Sequence, residues 1–263
     1  MAFEDTKREV AVGNRVLWKI GLADGITLSL GHVSLRVPNN PDRFIVKGRG
    51  YDVDALPAMK ASDMIVCDMD GNMIEGPPGG TQCYEVKIHS AIYKNNPDIK
   101  SVVHVHPRYT VLMSVLQQTL VPMCQEGSNL VESPIPVWPH SRLVSTDEDG
   151  EGLAATLGKS PVAMLIGHGA VATGQSISQS IQNIYTLEEQ ARMNYLALCA
   201  MGTGHPRVSP ELVAENRTNP GFWELPHFKS SLPEGVTENP HRPDPGAPSG
   251  PYKYWSSLVE DGV

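Results

Sequence analysis

Three histidines in this sequence have the spacing and surroundings of metal ligands, and two of them form a pair. His104 and His106 are separated by one residue inside the apolar run SVVHVH (101–106). Residues i and i+2 of a β-strand face the same side of a sheet, so both imidazoles can reach one ion. Two histidines in a core or at the surface explain the pair equally well, so the pair alone leaves both interpretations open.

The third histidine favours the metal interpretation. His168 stands between Gly167 and Gly169, where the apolar strand predicted over 162–169 ends. Glycines on both sides permit close backbone approach and unusual dihedral angles. Three imidazoles that leave a coordination position open are typical of a catalytic site rather than a structural one. We expect one divalent ion per chain, Zn2+ or Mn2+, with Fe2+ or Co2+ also compatible with these ligands.

Glu85 opens a helix predicted over 85–95, and His89 follows four residues later on the same helix face. The helix dipole alone favours a carboxylate at this end, so a structural role stays open. The functional interpretation is a carboxylate that ligates the ion and moves free as an acid/base when substrate binds. A desolvated pocket is then expected to raise the pKa of Glu85. We interpret His89 as structural.

Composition narrows the classes of protein. The chain has 263 residues, 40% of them hydrophobic and 19% charged, with a net charge of -8 and no long basic run, which argues against a nucleic-acid partner. Its four cysteines form no CxxC pair, and its N-terminus is charged, so we expect a reduced, cytoplasmic protein. No apolar run approaches the roughly 20 residues that span a membrane.

The predicted elements indicate which structure must position these side chains. Two hairpins imply antiparallel pairing, and we expect a layered α/β domain. The sequence predicts helices over 5–23, 85–95, 107–118 and 176–200, and strands over 26–37, 43–46, 64–68, 73–75, 101–106 and 162–169.

The last 61 residues differ in composition from the rest. We predict a catalytic domain over 1–202 and an irregular, proline-rich extension over 203–263 that packs on its own or a neighbouring subunit. A wholly disordered segment would rarely keep so many aromatic residues, among them Phe222, Trp223, Phe228, Tyr252 and Trp255.

Taken together, the motifs resemble the class II aldolase/adducin family over about residues 8–202. They are Gly31-His32-Val33-Ser34, the hairpin from Asp70 to Gly76, Glu85 with His89, His104-Val105-His106-Pro107, and His168-Gly169. The resemblance implies an α/β/α fold around a central, largely antiparallel sheet. It also implies that the three histidines ligate the metal and that Glu85 is the catalytic acid/base. A homotetramer with sites near subunit interfaces is expected on the same ground.

Three loops depart from the sugar-phosphate members of the family. Those members bind phosphate through an Asn in the first motif, a Thr/Ser-Gly loop and a Ser-Ser pair before the glutamate. Here the corresponding residues are His32, Lys47-Gly48-Arg49-Gly50 and Gln82-Cys83-Tyr84. A guanidinium suits a carboxylate through paired hydrogen bonds, and Tyr84 and His32 suit an aromatic ring.

These departures make the chain similar to a branch of decarboxylases in aromatic catabolism. Members act on 3-hydroxy-2-methylpyridine-4,5-dicarboxylate or 3,4-dihydroxyphthalate. We therefore expect a small aromatic carboxylate as substrate. The expected substrate-binding residues are His32, Ser34, Arg49, Tyr84, Arg108 and Tyr109, and His140 and Arg142 are expected to reach a neighbouring site.

Two alternatives remain at this stage. One is an aldolase or 4-epimerase that acts on a sugar phosphate, which would need the phosphate donors that the three loops lack. The other is a non-enzymatic adducin-like scaffold. Such relatives lose metal ligands, whereas this chain retains all three histidines and the glutamate.

Overall fold

A computed structural model describes residues 3–218, 225–231, 234–235 and 246–263. Two of the aromatic residues expected to anchor the extension, Phe222 and Trp223, lie outside these residues. The elements up to residue 202 are α1 (Glu4–Lys19), β1 (His32–Arg36), β2 (Arg43–Arg49), β3 (Met64–Asp68), β4 (Met73–Glu75), β5 (Thr81–Gln82), α2 (Val86–Asn95), β6 (Ser101–Val105), α3 (Arg108–Val115), β7 (Val137–Trp138), α4 (Asp147–Leu157), β8 (Val162–Leu165), β9 (Gly169–Gly174) and α5 (Ile177–Met201).

The strands form one sheet in the order β4-β3-β2-β1-β6-β9-β8-β7, with β5 paired to β2. The β7–β8 pair is parallel and the other pairs are antiparallel. The predicted central, largely antiparallel sheet is therefore confirmed. β1 and β6 lie side by side in its centre, so the two strands that carry His32 and His104 are neighbours.

Each face of the sheet has its own hydrophobic core. Val103 and Val105 of β6 pack with α1, α3 and α5 on one face, whereas Val102 packs with α2 and α4 on the other. The alternation follows from the period of two in a strand. His104 alternates with Val103 and Val105 along β6, so it faces α2 and α4. His32 pairs with His104 across the sheet, so His32 and Ser34 face the same side. The layered α/β/α arrangement confirms the predicted fold class.

Several elements differ from the sequence-based predictions. The strand predicted over 26–37 begins only at His32, because Gly25–Thr27 forms a 3-10 turn. The strand predicted over 162–169 ends at Leu165, and a turn closed by the bond from His168 N to Leu165 O leads into β9. The helix α4 was not predicted, since Gly150 and Gly152 weaken its pattern. Its N-cap is Thr146, whose side chain accepts from Asp149 N.

The extension is partly helical, with α6 (Pro210–Thr218), α7 (Pro226–Lys229) and α8 (Gly250–Ser257). Proline occupies the first turn of each, where its missing N–H costs nothing. The Arg15 guanidinium donates to the carbonyls of Val259, Asp261 and Gly262, which ties the C-terminus to α1. The domain boundary at 202/203 stays a prediction. Among the described residues, no helix combines the length and apolar character that crossing a membrane requires.

Candidate metal centre

The register of the central strands brings the histidines together. His32 of β1 lies directly opposite His104 of β6, and His104 lies opposite Val171 of β9. His106 follows the end of β6, and His168 lies in the turn that enters β9. Neighbouring strands are about 4.8 Å apart, so these rings meet at one end of the central strands although His32 and His168 are far apart in sequence.

The three predicted ligand histidines converge. The ring centres are 4.9 Å apart for His104 and His106, 5.1 Å for His104 and His168, and 4.8 Å for His106 and His168. Each pair of rings is close to perpendicular, so the rings do not stack. The Nε2 atoms of His104 and His106 are 3.0 Å apart. The ring edges therefore meet at one point, as ligands around a single ion do.

A backbone contact orients His104. Its Nδ1 lies 3.1 Å from the carbonyl oxygen of Ala170, which can only accept a hydrogen bond. Nδ1 therefore carries the proton, and Nε2 presents a lone pair to the centre. A second hydrogen bond of this kind fixes the ring and tautomer of metal-ligating histidines. Burial and the neighbouring imidazoles lower the pKa of His106 to about 3, which keeps it neutral and able to ligate at pH 7.

Gly169 makes the close approach possible. A Cβ at this position would lie 2.4 Å from the carbonyl oxygen of Val105 and 2.9 Å from the His106 ring. Gly167, on the other side of His168, has φ +62°, which L side chains rarely adopt. Both glycines flanking His168 therefore have the physical roles that the sequence predicted for them.

Glu85 completes the cluster from the opposite side. It occupies the N-cap position of α2, is buried, and accepts a hydrogen bond from Val144 N at 3.0 Å. Its carboxylate oxygens lie 3.3 Å from His104 Nε2 and 3.4 Å from His168 Nε2. A carboxylate between two imidazole nitrogens stands where it can ligate the same ion.

The expected rise in the pKa of Glu85 is wrong for this arrangement. Burial by itself raises the pKa of the carboxyl, but its interaction with the neighbouring imidazoles, chiefly that of His104, outweighs burial, so the pKa lies far below its ordinary value. A bound cation would lower the pKa further. Glu85 is therefore ionised before substrate binds and cannot donate a proton until it has received one.

The residues present fit a divalent ion. One ligand atom from each of Glu85, His104, His106 and His168 lies within 4.8 Å of the others. Both ring nitrogens of His168 are buried and make no hydrogen bond of normal geometry within the described residues, although Nε2 lies 3.4 Å from Glu85 Oε1. Such orphaned atoms are costly unless something satisfies them, and an ion at the centre of the cluster would satisfy Nε2.

His32 and Ser34 lie beside this cluster, but they contact protein. The His32 ring centre is 5.3 Å from that of His104, and His32 Nδ1 is 2.7 Å from His89 Nε2. Ser34 is fully buried, with its hydroxyl 2.7 Å from both His89 Nδ1 and Tyr93 Oη. Ser34 thus supports His89, and its contact with substrate stays a prediction.

Arg49 packs on Tyr84, the residue that precedes Glu85 in the chain. The guanidinium lies over the Tyr84 ring at 4.5 Å, and its Nη1 donates to Asp54 at 2.8 Å. Tyr84 is 65% exposed, so one aromatic face is available to a ligand. Lys47 is fully buried and donates to Asp54 and to Ser29 O. Of the two cations in this loop, Arg49 is the one in a position to meet an anion.

The other expected residues have partners of their own. Arg108 donates to Asp24 at 2.7 Å, and the Tyr109 ring packs 5.7 Å from Tyr195. Their roles in substrate binding stay predictions, as does any role of His140 and Arg142 in a neighbouring site. Within this chain, His140 packs on Trp138 and Arg142 pairs with Asp149.

Sequence reasoning missed the part played by His89 and Tyr93. Both belong to α2, where Glu85, His89 and Tyr93 stand four residues apart and share one helix face. That spacing was a signal that a polar face points at the sheet. Sequence reasoning also missed Asp54, which holds Lys47 and Arg49 together; a single carboxylate in a loop gives no comparable signal.

Comparison with known proteins agrees with this geometry. Residues 8–195 match the family profile of the Class II Aldolase and Adducin N-terminal domain. A 3,4-dihydroxyphthalate decarboxylase of Terrabacter sp. (strain DBF63) is 30% identical over 223 residues, 82% of this chain and 90% of that protein. Another 3,4-dihydroxyphthalate decarboxylase, of Rhodococcus jostii (strain RHA1), is 31% identical over 209 residues, 76% and 83% of the two chains.

Solved structures show the same fold. An aldolase II superfamily protein from Pseudomonas syringae superposes with a TM-score of 0.73 at 22% identity, covering 98% of this chain and 92% of the other. The sheet order, the converging histidines and the sequence relatives agree, and this chain belongs to the class II aldolase and adducin family.

Proposed function

We propose that the protein is a metal-dependent decarboxylase of a hydroxylated aromatic or pyridine dicarboxylate such as 3,4-dihydroxyphthalate. The observation that carries the proposal is the convergence of His104, His106, His168 and Glu85 on one point, beside an Arg49–Tyr84 pair instead of a phosphate loop. The names of the two bacterial relatives support the choice of substrate class.

A divalent ion held by the three histidines would supply positive charge that stabilises a negatively charged oxygen of the substrate. The chain's contribution is to hold the ion and to exclude water. His104 is fully buried and Glu85 and His168 are nearly so, so charges act there at a lower effective dielectric than in water. We propose Zn2+ or Mn2+, since three imidazoles and a carboxylate suit either.

The ionised state of Glu85 determines the order of proton transfers. Glu85 takes the proton of the substrate's phenolic hydroxyl as that oxygen becomes negative. It then delivers this proton to the ring carbon that bears the departing carboxylate, which gives a dearomatised ketone form. The bond between that carbon and the carboxylate breaks, carbon dioxide leaves, and the electron pair restores the aromatic ring. Glu85 is thus first a base and then an acid.

Arg49 and His32 are our candidates for holding the second carboxylate. A guanidinium can grip a carboxylate through two parallel hydrogen bonds, and the exposed Tyr84 ring can stack on an aromatic substrate. A planar diacid therefore suits these side chains better than a phosphorylated sugar does.

An aldolase or epimerase of sugar phosphates remains the second candidate, because family membership alone allows it. A scaffold without activity is disfavoured by the intact set of ligands. The homotetramer, with sites near its interfaces, and the cytoplasmic location stay predictions.

The test is an assay of purified, metal-loaded protein against two panels. One contains ortho-hydroxy aromatic and pyridine dicarboxylates, with carbon dioxide release as the readout. The other contains phosphorylated ketoses, with aldehyde release as the readout. We expect turnover in the first panel alone. Aldehyde release without carbon dioxide release would replace the proposal by the aldolase.

A further inference from the structure

Four polar side chains form a continuous hydrogen-bonded chain that runs from the metal centre into the core. His32 Nδ1 is 2.7 Å from His89 Nε2, His89 Nδ1 is 2.7 Å from Ser34 Oγ, and Ser34 Oγ is 2.7 Å from Tyr93 Oη. All four residues are at most 2% exposed. Such an arrangement is unusual for a site whose only task is packing, because buried polar groups must each be satisfied.

The number of protons available limits the directions in which the hydrogen bonds of this side-chain network can point. Both rings are buried and neither is hydrogen-bonded to a carboxylate, which disfavours the charged imidazolium, so both rings are neutral and each carries one proton. Each hydroxyl also carries one. Four protons serve three internal hydrogen bonds, so one proton is always left over at an end of the chain or at Ser34.

At the inner end the spare proton has poor acceptors. Tyr93 can donate to Lys100 O at 3.3 Å, or Ser34 can donate to Val102 O at 3.5 Å. Both distances exceed the usual range for an O–H donor. In either case His32 is protonated on Nδ1 and its Nε2 is a bare acceptor.

At the outer end the spare proton lies on His32 Nε2. The three internal bonds then all point toward His32: Tyr93 donates to Ser34, Ser34 to His89, and His89 to His32. Within the described residues, His32 Nε2 has no hydrogen-bond partner. A ligand oxygen at normal distance from Nε2 would give a better bond than either inner acceptor.

We propose that His32 donates from Nε2 to a substrate oxygen, and that binding reverses the whole His32–His89–Ser34–Tyr93 chain. His32 is then a substrate-binding residue, and His89, Ser34 and Tyr93 are positioning residues that act through it. The inference rests on the proposed function for the kind of ligand, an aromatic carboxylate. It assigns a task to the helix face that carries Glu85, His89 and Tyr93.

A second metal site is the competing use of this cluster, because His32, Cys83 and His89 also offer ligand atoms close together. Two observations disfavour it. The facing nitrogens of His32 and His89 are already bonded to each other at 2.7 Å. Burial raises the pKa of the Cys83 thiol to about 12, so the thiolate that a metal needs is disfavoured.

The test reads the position of the proton on His32 directly. Nitrogen-15 chemical shifts are recorded on histidine-labelled, zinc-loaded protein, with the His32 signals assigned by their loss in His32→Asn. We expect protonation on Nδ1 without ligand and on Nε2 with phthalate bound. Tyr93→Phe removes the shorter of the two inner hydrogen bonds, from Tyr93 to Lys100 O, so it should increase the fraction of His32 that is protonated on Nε2 even without ligand.

Ligand affinity provides a second readout. Tyr93→Phe should tighten phthalate binding by up to about two- to threefold, because the inner state then keeps only the longer bond from Ser34 to Val102 O. In Ser34→Ala the chain is interrupted, so adding Tyr93→Phe should change nothing further. Tyr185→Phe is the matched control, because the Tyr185 ring packs on Trp255 away from the chain.

The outcomes separate this inference from the proposed function. If the proton on His32 stays in place both on phthalate binding and in Tyr93→Phe, the chain does not reverse and the inference is wrong. A His32 signal that marks bound zinc would also overturn it, in favour of the second metal site. Absence of carbon dioxide release would refute the proposed function but leave the ligand-free shift in Tyr93→Phe as a valid test of the chain.

Discussion

Gly169→Ala should damage the candidate metal centre without replacing any of the proposed ligands. The added Cβ would lie 2.4 Å from Val105 O, 2.9 Å from His106 Cδ2 and 3.2 Å from His104 Cε1. The first distance is about 1 Å inside ordinary contact. The obstructing atom is backbone in the centre of the sheet, so it cannot turn aside as the end of a flexible side chain would.

The size of the effect follows from this overlap. β6 and β9 must separate locally by several tenths of an ångström, whereas metal ligands tolerate only about 0.2 Å. We expect metal affinity to fall about 10- to 100-fold, the range found when the surroundings of ligands are disturbed. Overpacking should also lower the free energy of unfolding by about 1–3 kcal/mol.

Two measurements check this prediction: competitive zinc titration against a chromophoric chelator, and urea unfolding of the metal-free protein. Gly250→Ala is the matched control, because a Cβ there meets no atom within 4 Å and its φ is not positive. If Gly169→Ala bound zinc as tightly as Gly250→Ala and unfolded at the same urea concentration, the proposed need for close approach at His168 would be refuted.

Further predictions concern α4 and α3. Gly150→Ala should destabilise the protein, because its Cβ would lie 2.8 Å from Lys87 O. Gly152→Ala on the same helix should instead stabilise it by about 0.5–1 kcal/mol. Urea unfolding of the two variants must therefore give changes of opposite sign in the free energy of unfolding. Glu188 accepts from the N–H groups of Tyr109 and Thr110 at the start of α3, so Glu188→Ala should cost about 1–3 kcal/mol in the same assay. Burial raises the pKa of Glu188 in the folded protein above its pKa in the unfolded protein. The contribution of Glu188 to the free energy of unfolding therefore declines as the pH rises from the unfolded-state pKa through the folded-state pKa. Glu188→Gln should flatten that part of the plot of stability against pH, and an unchanged plot would contradict this sign.

The convergence of the three histidines was predictable because local patterns encode it. HxH on an apolar strand gives two ligands on one face, and Gly-His-Gly after another strand gives the third. The pairing of β1 with β6 and of β6 with β9 was not predictable, since the sequence states no register. The helix face of Glu85, His89 and Tyr93 was visible as spacing, but what it faced depended on that register.

The missed elements have similar causes. β9 follows β8 after a three-residue turn that contains His168, so a single apolar run concealed two antiparallel strands. α4 carries two glycines, which have a low helix propensity, so its sequence does not stand out as a helix. The low pKa of Glu85 results from the histidines that surround it, and a reading of its burial alone gives the opposite sign.

The central claim is that three histidines hold one ion and that Glu85 moves the proton to carbon. Its most direct test compares the rate of carbon dioxide release from 3,4-dihydroxyphthalate, per bound metal ion, for the wild type and Glu85→Gln. The account predicts one ion in both proteins and a rate at least about 100-fold lower in the variant, as expected for loss of a general acid/base. A metal-loaded Glu85→Gln protein that turned over at the wild-type rate would contradict the account.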